Sequence, residues 1–362
     1  LGNRVSMEDR NDNTIAYVAN TVNEYTAIGG VSVAYDACGN LSKDAAGYQY
    51  FYDHACPGMS VAGDNRLTQV KDSGDNVEAE YLYVGAMFAN RAEIRPWRNA
   101  LGRRIRTILG GVTAKYYYDG QRVILETDNA GTTDQRMFAY GNYVDEVLVM
   151  EKLAGDNQGM YYYGHDHLFS VCVLFDDSGA ITEYTQYDAY GYARTGIGWG
   201  VDETWFTSDD TVADGGGSNV GNPYFFTGRR LDLLDAGALP LMYYRARTYD
   251  PTTGRFLQRD PIGYADSLNA YEYGQSSPDK CLDPYGWVSF RIGQSGEIIL
   301  FAAPTLVPGI GVTVKGKFAT EVFTCCGPGA RYSTPRKSNQ GIRWWLWYNS
   351  VGYRTQERKQ DY

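Results

Sequence analysis

Phe175-Asp176-Asp177-Ser178-Gly179-Ala180-Ile181, followed two residues later by Tyr184-Thr185-Gln186-Tyr187-Asp188-Ala189-Tyr190-Gly191, decides the fold class. An alternating aromatic strand ends at Asp. The Asp side chain opens a turn by accepting a backbone hydrogen bond, and Gly supplies a positive φ. A second strand then returns, so each unit reads as a β-hairpin. The same pattern recurs at Tyr35-Asp36-Ala37-Cys38-Gly39-Asn40-Leu41 and at Gly47-Tyr48-Gln49-Tyr50-Phe51-Tyr52-Asp53, which leads to Asn65-Arg66-Leu67. It recurs again at Tyr116-Tyr117-Tyr118-Asp119-Gly120-Gln121-Arg122-Val123 and Tyr249-Asp250-Pro251-Thr252-Thr253-Gly254-Arg255-Phe256. One hairpin cannot bury its apolar face alone, so neighbours must pair edge to edge into a long sheet that curls as its strands twist. The spacing between copies is irregular, which excludes a tight solenoid of fixed period. The 42 Gly and 32 Tyr favour strands and turns over helices. The best helical stretch, Arg91 to Leu109, is expected as the one helix of an otherwise all-β chain.

The chain has 362 residues, enough for two or three domains, and 21% of them are charged, an ordinary globular composition. A net charge of -10 argues against a nucleic-acid-binding body, which is usually basic. The longest apolar candidate for a membrane span, Ile298 to Val314, is interrupted by Pro304 and Pro308. The sequence shows no signal peptide but begins at Leu1 rather than Met, so it reads as a processed product or a fragment and that absence says little. Six Cys without C-x-x-C spacing exclude a disulfide scaffold and leave the redox compartment open.

Charge divides the chain. Residues 1–287 carry a net -16 and residues 288–362 a net +6, which places a boundary near 287. An acidic body joined to a basic tail reads either as electrostatic complementarity or as two unrelated surfaces.

Residues 223–287 carry long, ordered motifs. Asn222-Pro223-Tyr224-Phe225-Phe226-Thr227-Gly228-Arg229 is followed by Tyr243-Tyr244-Arg245-Ala246-Arg247-Thr248-Tyr249-Asp250-Pro251. Then come Gly254-Arg255-Phe256-Leu257-Gln258-Arg259-Asp260-Pro261-Ile262-Gly263 and Pro278-Asp279-Lys280-Cys281-Leu282-Asp283-Pro284-Tyr285-Gly286-Trp287. This segment resembles the core module of the rearrangement-hotspot (Rhs) family, and the hairpin units resemble its YD repeats. The resemblance covers about residues 1–287. It implies a YD-repeat sheet over 1–222, an Rhs-associated core module over 223–287 and a variable C-terminal tail over 288–362. The implied fold is all-β, a curved sheet of hairpins forming part of a hollow shell. The tail is then cargo, in bacterial competition or toxin delivery from a secreted or cell-surface protein. Implied partners are the chain's own tail, further YD-repeat segments or copies of itself, and an immunity protein for the tail. No cofactor is implied.

The resemblance also implies self-cleavage just after the second Asp-Pro motif. Two close carboxylates disfavour double ionisation, so one activates water while the other polarises the scissile carbonyl. The pair is Asp260 and Asp283, Arg259 is the cation expected beside it, and the scissile bond is Trp287–Val288. Some relatives place an acidic residue a dozen positions after the first motif Asp. Glu272 stands there and is the second-choice partner. The competing reading is purely structural, because Asp-Pro also starts turns.

Other features are weaker. His165-Asp166-His167 would share a strand face as a metal pair but lacks a third ligand. The loop bearing Asp202, Glu203, Asp209, Asp210 and Asp214 lacks the order of a Ca²⁺ loop and reads as solvated. Gly309-Ile310-Gly311 is half a dinucleotide fingerprint and is discounted. The tail has no His, which excludes His-based nuclease chemistry. Its Trp344, Trp345 and Trp347 fit nucleic-acid stacking, a membrane surface, or simply a small core. Adjacent Cys325 and Cys326 are uninformative. A second class of function remains: a structural surface or assembly protein built from YD hairpins, without toxicity. Carbohydrate binding by the many Tyr rests on composition alone.

Overall fold

The computed structural model describes residues 3–8, 12–53, 65–83, 103–264, 267–287 and 289–292, and the backbone of four short strands further on. The chain forms two compact units, Leu1–Phe318 and Ala319–Tyr362. In the first, β1 (Ser6–Glu8), β2 (Thr14–Ala19), β3 (Tyr25–Ile28) and β4 (Val31–Ser32) make a small antiparallel sheet. Fifteen strands follow in one sheet, from β5 (Ala34–Tyr35) to β19 (Thr211–Asp214), each paired antiparallel with the next in chain order. The order has two free ends, so the sheet is open.

The turns explain the meander. Asp36, Asp72, Asp166, Asp176 and Asp188 each accept two backbone N–H groups on one carboxylate oxygen, two and four residues ahead. For Asp188 the donors are Tyr190 and Tyr192, both at 2.8 Å. The residue three ahead is left-handed: Gly39, Asp75, Phe169, Gly179 and Gly191. Phe169 holds φ 63° without being glycine, and its ring stacks on Tyr143 at 4.4 Å. Gly179 has φ +83° with open space around it. Gly191 has φ +86°, and a Cβ there would lie 2.4 Å from the Phe226 ring. Gly179→Ala is therefore expected to cost about 1 kcal/mol through backbone strain alone. Gly191→Ala adds overpacking and is expected to cost about 2 kcal/mol more. Urea unfolding of the two variants tests this, and equal costs would contradict it.

The expected helix is not formed where the chain can be described. Arg104–Leu109 is strand β10, paired on both sides with β9 (Val77–Tyr83) and β11 (Val112–Asp119). Its β-branched Ile105, Thr107 and Ile108 suit a pleated surface, and two neighbours satisfy its backbone. Residues 91–102 of the stretch lie outside the described residues.

The four-stranded sheet β20 (Arg230–Leu234), β21 (Leu239–Tyr244), β22 (Arg247–Asp250) and β23 (Arg255–Phe256) packs on one face of the long sheet. Leu234, Leu241 and Tyr243 join a core with Tyr50, Val70 and Tyr81. Tyr224 joins Phe138, Met150 and Leu174. Ala193, near the far end, joins Tyr244, Tyr249, Phe256 and Tyr273. These contacts run from strand β7 (Gln49–Tyr52) to β18 (Ala193–Gly198), a width of roughly 50 Å at 4.8 Å per strand. The four-stranded sheet is roughly 15 Å wide. It can touch both ends only because the long sheet curves around it. Bulges in many strand pairs, including Tyr117/Tyr118 and Gly164/His165, supply that bending.

Buried ion pairs fasten the two sheets. Asp232 pairs with Arg104 through both of its oxygens, one bond being 2.9 Å. Glu126 takes Arg230 at 2.5 Å and Arg136 at 3.0 Å. Burial pushes the Glu126 carboxyl up, and the two guanidinium groups more than reverse this, holding it below its ordinary value. Asp145 takes Arg229 and Arg245, each at 2.7 Å.

Beyond the core module, the backbone of Phe290–Ile292 pairs with Cys281–Leu282 and continues through Ile298–Leu300 to Val312–Val314. In the second unit, Arg331–Tyr332 pairs with Leu346–Trp347. Among the described residues no helix is long and apolar enough to cross a membrane.

Candidate active site

Asp260 and Asp283 sit in two matching Asp-Pro-x-Gly turns. Asp260 accepts the Ile262 N–H at 3.0 Å on its side chain and donates its own N–H to the Ala270 carbonyl at 2.8 Å. Asp283 follows the short strand Cys281–Leu282. Its Oδ1 accepts the N–H of Gly286 at 2.8 Å and of Trp287 at 3.0 Å. Both carboxylates are buried.

Arg247, at the start of β22, gathers the two turns. Its Nη2 lies 3.0 Å from Asp260 Oδ2 and 3.2 Å from Asp283 Oδ2. Its Nε donates to the Gly286 carbonyl at 2.5 Å and its Nη1 to the Ala270 carbonyl at 3.2 Å. The guanidinium lies 3.6 Å from the centre of the Phe256 ring. Tyr244 and Tyr249 pack edge-on against that ring and Tyr273 packs tilted against it, so the guanidinium is surrounded by buried aromatic side chains. Gly286 has φ +73°, and a Cβ there would meet the Tyr244 carbonyl at 2.4 Å, so only glycine lets the turn lie against Arg247.

The structure thus brings Asp260 and Asp283 onto one nitrogen, but the cation is not Arg259. Arg259 reaches the Tyr264 hydroxyl at 3.3 Å, and its stem covers Gly39, where a Cβ would lie 2.3 Å from Cδ. Both residues follow the end of β23 on extended chain, where Asp260 is buried and Arg259 is partly exposed. Glu272 is also apart from the pair, held by the hydroxyls of Ser267 and Ser276, the latter at 2.5 Å. Trp287 is in place, whereas Val288 lies outside the described residues. Sequence reasoning passed over Arg247. The available signal was an arginine inside an aromatic strand, because a buried guanidinium requires acceptors.

A third Asp-Pro residue behaves differently. Asp250 accepts the Thr252 N–H at 2.8 Å and the Thr253 hydroxyl at 2.7 Å. Burial pushes its carboxyl up to about 6, with nearby Asp44 adding to the rise. The folded state therefore favours the protonated form. That stability is present below about pH 4 and is lost as the pH rises through 6. Asp250→Asn keeps the turn's hydrogen bonds and removes the charge. It is expected to stabilise the chain at pH 7.5 by up to about 3 kcal/mol, a gain that disappears below about pH 4. Unfolding at both pH values checks it, and a gain independent of pH would refute the assignment.

The remaining candidates resolve into structure. Burial pushes His165 down, and His167 Nε2 meets the Asp279 carbonyl at 3.0 Å. Among the described residues no group of three His, Cys, Asp or Glu side chains is placed to hold a metal. In the acidic loop, Asp209 and Asp210 accept the N–H groups of Val201 and Phe206 at 2.7 and 2.8 Å. Asp202 likewise accepts the Thr204 N–H, and Asp214 pairs with Arg194. Cys38 is disulfide-bonded, and Cys172 and Cys281 form no disulfide. Gly309-Ile310-Gly311, Cys325, Cys326, Trp344 and Trp345 lie outside the described residues.

No protein-family model matches the chain. It is 29% identical over 298 residues to the tRNA3(Ser)-specific nuclease WapA of Bacillus spizizenii and 28% identical to the tRNA nuclease WapA of Bacillus subtilis. Each alignment covers 80% of this chain and 11% of the relative, so the chain spans about a tenth of those proteins. It is 24% identical over 325 residues to the double-stranded DNA deaminase toxin A of Burkholderia cenocepacia, covering 81% of this chain and 20% of that protein. Among solved structures, the TcdB2-TccC3-Cdc42 complex superposes with a TM-score of 0.52 at 21% identity, over 77% of this chain and 12% of that one. TcdB2-TccC3 gives 0.51 at 20% identity, over 76% of this chain and 12% of that one. An open antiparallel meander of hairpins curved around a buried aromatic module is the fold this chain shares with those structures. In sequence and fold the chain resembles Rhs/YD-repeat proteins.

Proposed function

We propose that this chain is the shell-and-core segment of a secreted or cell-surface toxin of the bacterial competition type, and that it carries residues 288–362 as a C-terminal effector. Its relatives are named as a tRNA-specific nuclease and a double-stranded DNA deaminase toxin. The core acts on one substrate, its own chain, at Trp287–Val288.

The observation that carries this reading is the convergence of Asp260 and Asp283 on Arg247, with Asp283 holding the Trp287 N–H. One carboxylate takes a proton from water, and the water oxygen adds to the Trp287 carbonyl carbon. The other carboxyl group supplies a proton as the Val288 nitrogen leaves. Arg247 offsets the repulsion of two buried carboxylates and pins the Gly286 carbonyl, fixing the chain one residue before the bond. The substrate is tethered, so little association entropy opposes the reaction.

The pairing of Phe290–Ile292 with Cys281–Leu282 adds a detail: the cut falls in the loop of a hairpin, and the two products stay paired. The test is intact mass of the purified chain, denatured and native. Denatured wild type is expected to show two fragments split after Trp287, which co-elute under native conditions. Asp283→Asn, Asp260→Asn and Gly286→Ala are expected to stay uncut, the last because it displaces the turn while keeping both carboxylates. Breaks after Asp260 or Asp283 would instead report acid-labile Asp-Pro bonds. An uncut wild type would refute the protease and favour the second reading, a structural assembly protein whose terminal strands remain part of its sheet.

A further inference from the structure

Asp145 stands in the loop between β13 (Asp134–Tyr140) and β14 (Val147–Lys152), remote in sequence from the aspartate pair, and is buried. Its Oδ1 accepts hydrogen bonds from Arg229 Nη1 and Arg245 Nη2, each at 2.7 Å, and its Oδ2 accepts one from Arg245 Nη1 at 3.2 Å. Both arginines reach further. Arg229 Nη1, at 3.3 Å, and Arg245 Nη1 also donate to the carbonyl of Pro284, the residue directly after Asp283. Other contacts fix both guanidinium groups. Arg229 Nε and Nη2 donate to the Tyr243 carbonyl at 3.1 and 2.7 Å, and the Arg245 guanidinium lies 5.3 Å from the centre of the Tyr285 ring. The loop lies directly against the core module, since a Cβ on Gly228 would run into the Asp145 carbonyl.

These contacts complete a row. The Pro284 carbonyl is held by Arg229 and Arg245, the Tyr285 carbonyl by the Ala246 N–H at 3.2 Å, and the Gly286 carbonyl by Arg247 Nε. Three successive carbonyls are fixed. The next along the chain, that of Trp287, is the one the proposed reaction attacks. Attack needs the carbonyl and the water in register, and a misplacement of about 1 Å costs roughly 10²-fold in rate. Ala246 and Arg247 belong to the core itself, whereas the grip on Pro284 is oriented by a loop of the long sheet. Without the Asp145 charge, two buried guanidinium groups are left side by side without their counter-ion and repel.

We propose that Asp145 is a positioning residue for the self-cleavage, supplied by the long sheet: it holds Arg229 and Arg245 on the Pro284 carbonyl and so sets the turn that presents the Trp287–Val288 bond. The inference rests on the cleavage reading above. It makes the cut conditional on docking, because a core module on which the β13–β14 loop is not seated keeps its tail attached.

The experiment follows the full chain after a short burst of cell-free translation. Denaturing intact mass gives the cut fraction with time, and a brief protease pulse gives the folded fraction of the same sample. Asp145→Asn keeps the side-chain shape and removes the charge. It is expected to be cut after Trp287 but about ten- to hundred-fold more slowly per folded molecule. Arg245→Met leaves the Asp145–Arg229 pair in place and is expected to slow the cut about ten-fold or more, so it carries the test should Asp145→Asn not fold. Asp232→Asn is the matched control. It removes an equally buried carboxylate between the same two sheets and is expected to be cut at the wild-type rate per folded molecule. A merely structural role for Asp145 would slow both Asn variants alike, and that result would overturn the proposal. Wild-type rates in Arg245→Met and in folded Asp145→Asn would overturn it too, while leaving the cleavage reading standing. A wild type that stays whole would overturn that reading and this inference with it.

Discussion

Arg247→Met is expected to lower the unfolding free energy by about 3–5 kcal/mol, because it leaves two buried carboxylates facing each other without their cation. The Ala270 and Gly286 carbonyls lose their donors in the same step. Methionine keeps much of the apolar stem over Phe256, so packing loss is a minor part of the effect. The electrostatic origin is separable. Adding Asp260→Asn and Asp283→Asn to Arg247→Met is expected to restore more than half of the loss, since neither side chain then carries charge. Urea unfolding of the single and triple variants measures this. A single-variant cost under about 1 kcal/mol would show that the three groups are not coupled. The same single variant is expected to be uncut in the mass experiment, whereas Arg259→Met is expected to be cut normally.

The second large effect lies at the junction of the two sheets. Arg104 and Asp232 are 128 positions apart and meet through two hydrogen bonds, both side chains nearly fully buried. The guanidinium also lies 4.3 Å from the centre of the Tyr243 ring. Asp232→Leu alone is expected to cost about 3–5 kcal/mol by stranding a buried cation. Arg104→Met with Asp232→Leu is expected to return to within about 1 kcal/mol of wild type, because a buried pair can be replaced by apolar side chains of similar volume. If the double variant is as unstable as the single, the pair's directional bonds, not charge compensation, hold the module to the sheet. Denaturation midpoints for the three proteins decide between these.

Much of the fold was legible. The Asp turns at 36, 176 and 188 are where the Tyr-Asp units place them, since each is closed by hydrogen bonds two to four residues long. The Asp250 turn follows the same rule. Arg104–Leu109 falls inside the expected helix because a six-residue segment with two arginines carries too little periodicity to separate the two, and only pairing on both edges makes it a strand. The aspartates of the candidate site were legible from their Asp-Pro motifs, and their cation was not. Arg259 is adjacent in sequence, but adjacent residues on an extended chain face opposite ways.

What the chain determined by itself is therefore local: the hairpins, the aromatic face, the two Asp-Pro-x-Gly turns and the charge boundary near 287. Only the tertiary structure decided that Arg247, rather than Arg259, stands between Asp260 and Asp283, and that Arg104 answers Asp232. The reason is physical. A turn's hydrogen bonds join residues a few positions apart, so their geometry follows from identity and spacing. The buried ion pairs join residues too far apart for a turn to set, 36 positions for Arg247 and Asp283 and 128 for Arg104 and Asp232, and each of 33 basic side chains is chemically able to answer each of 43 acidic ones until curvature and packing bring one pair together.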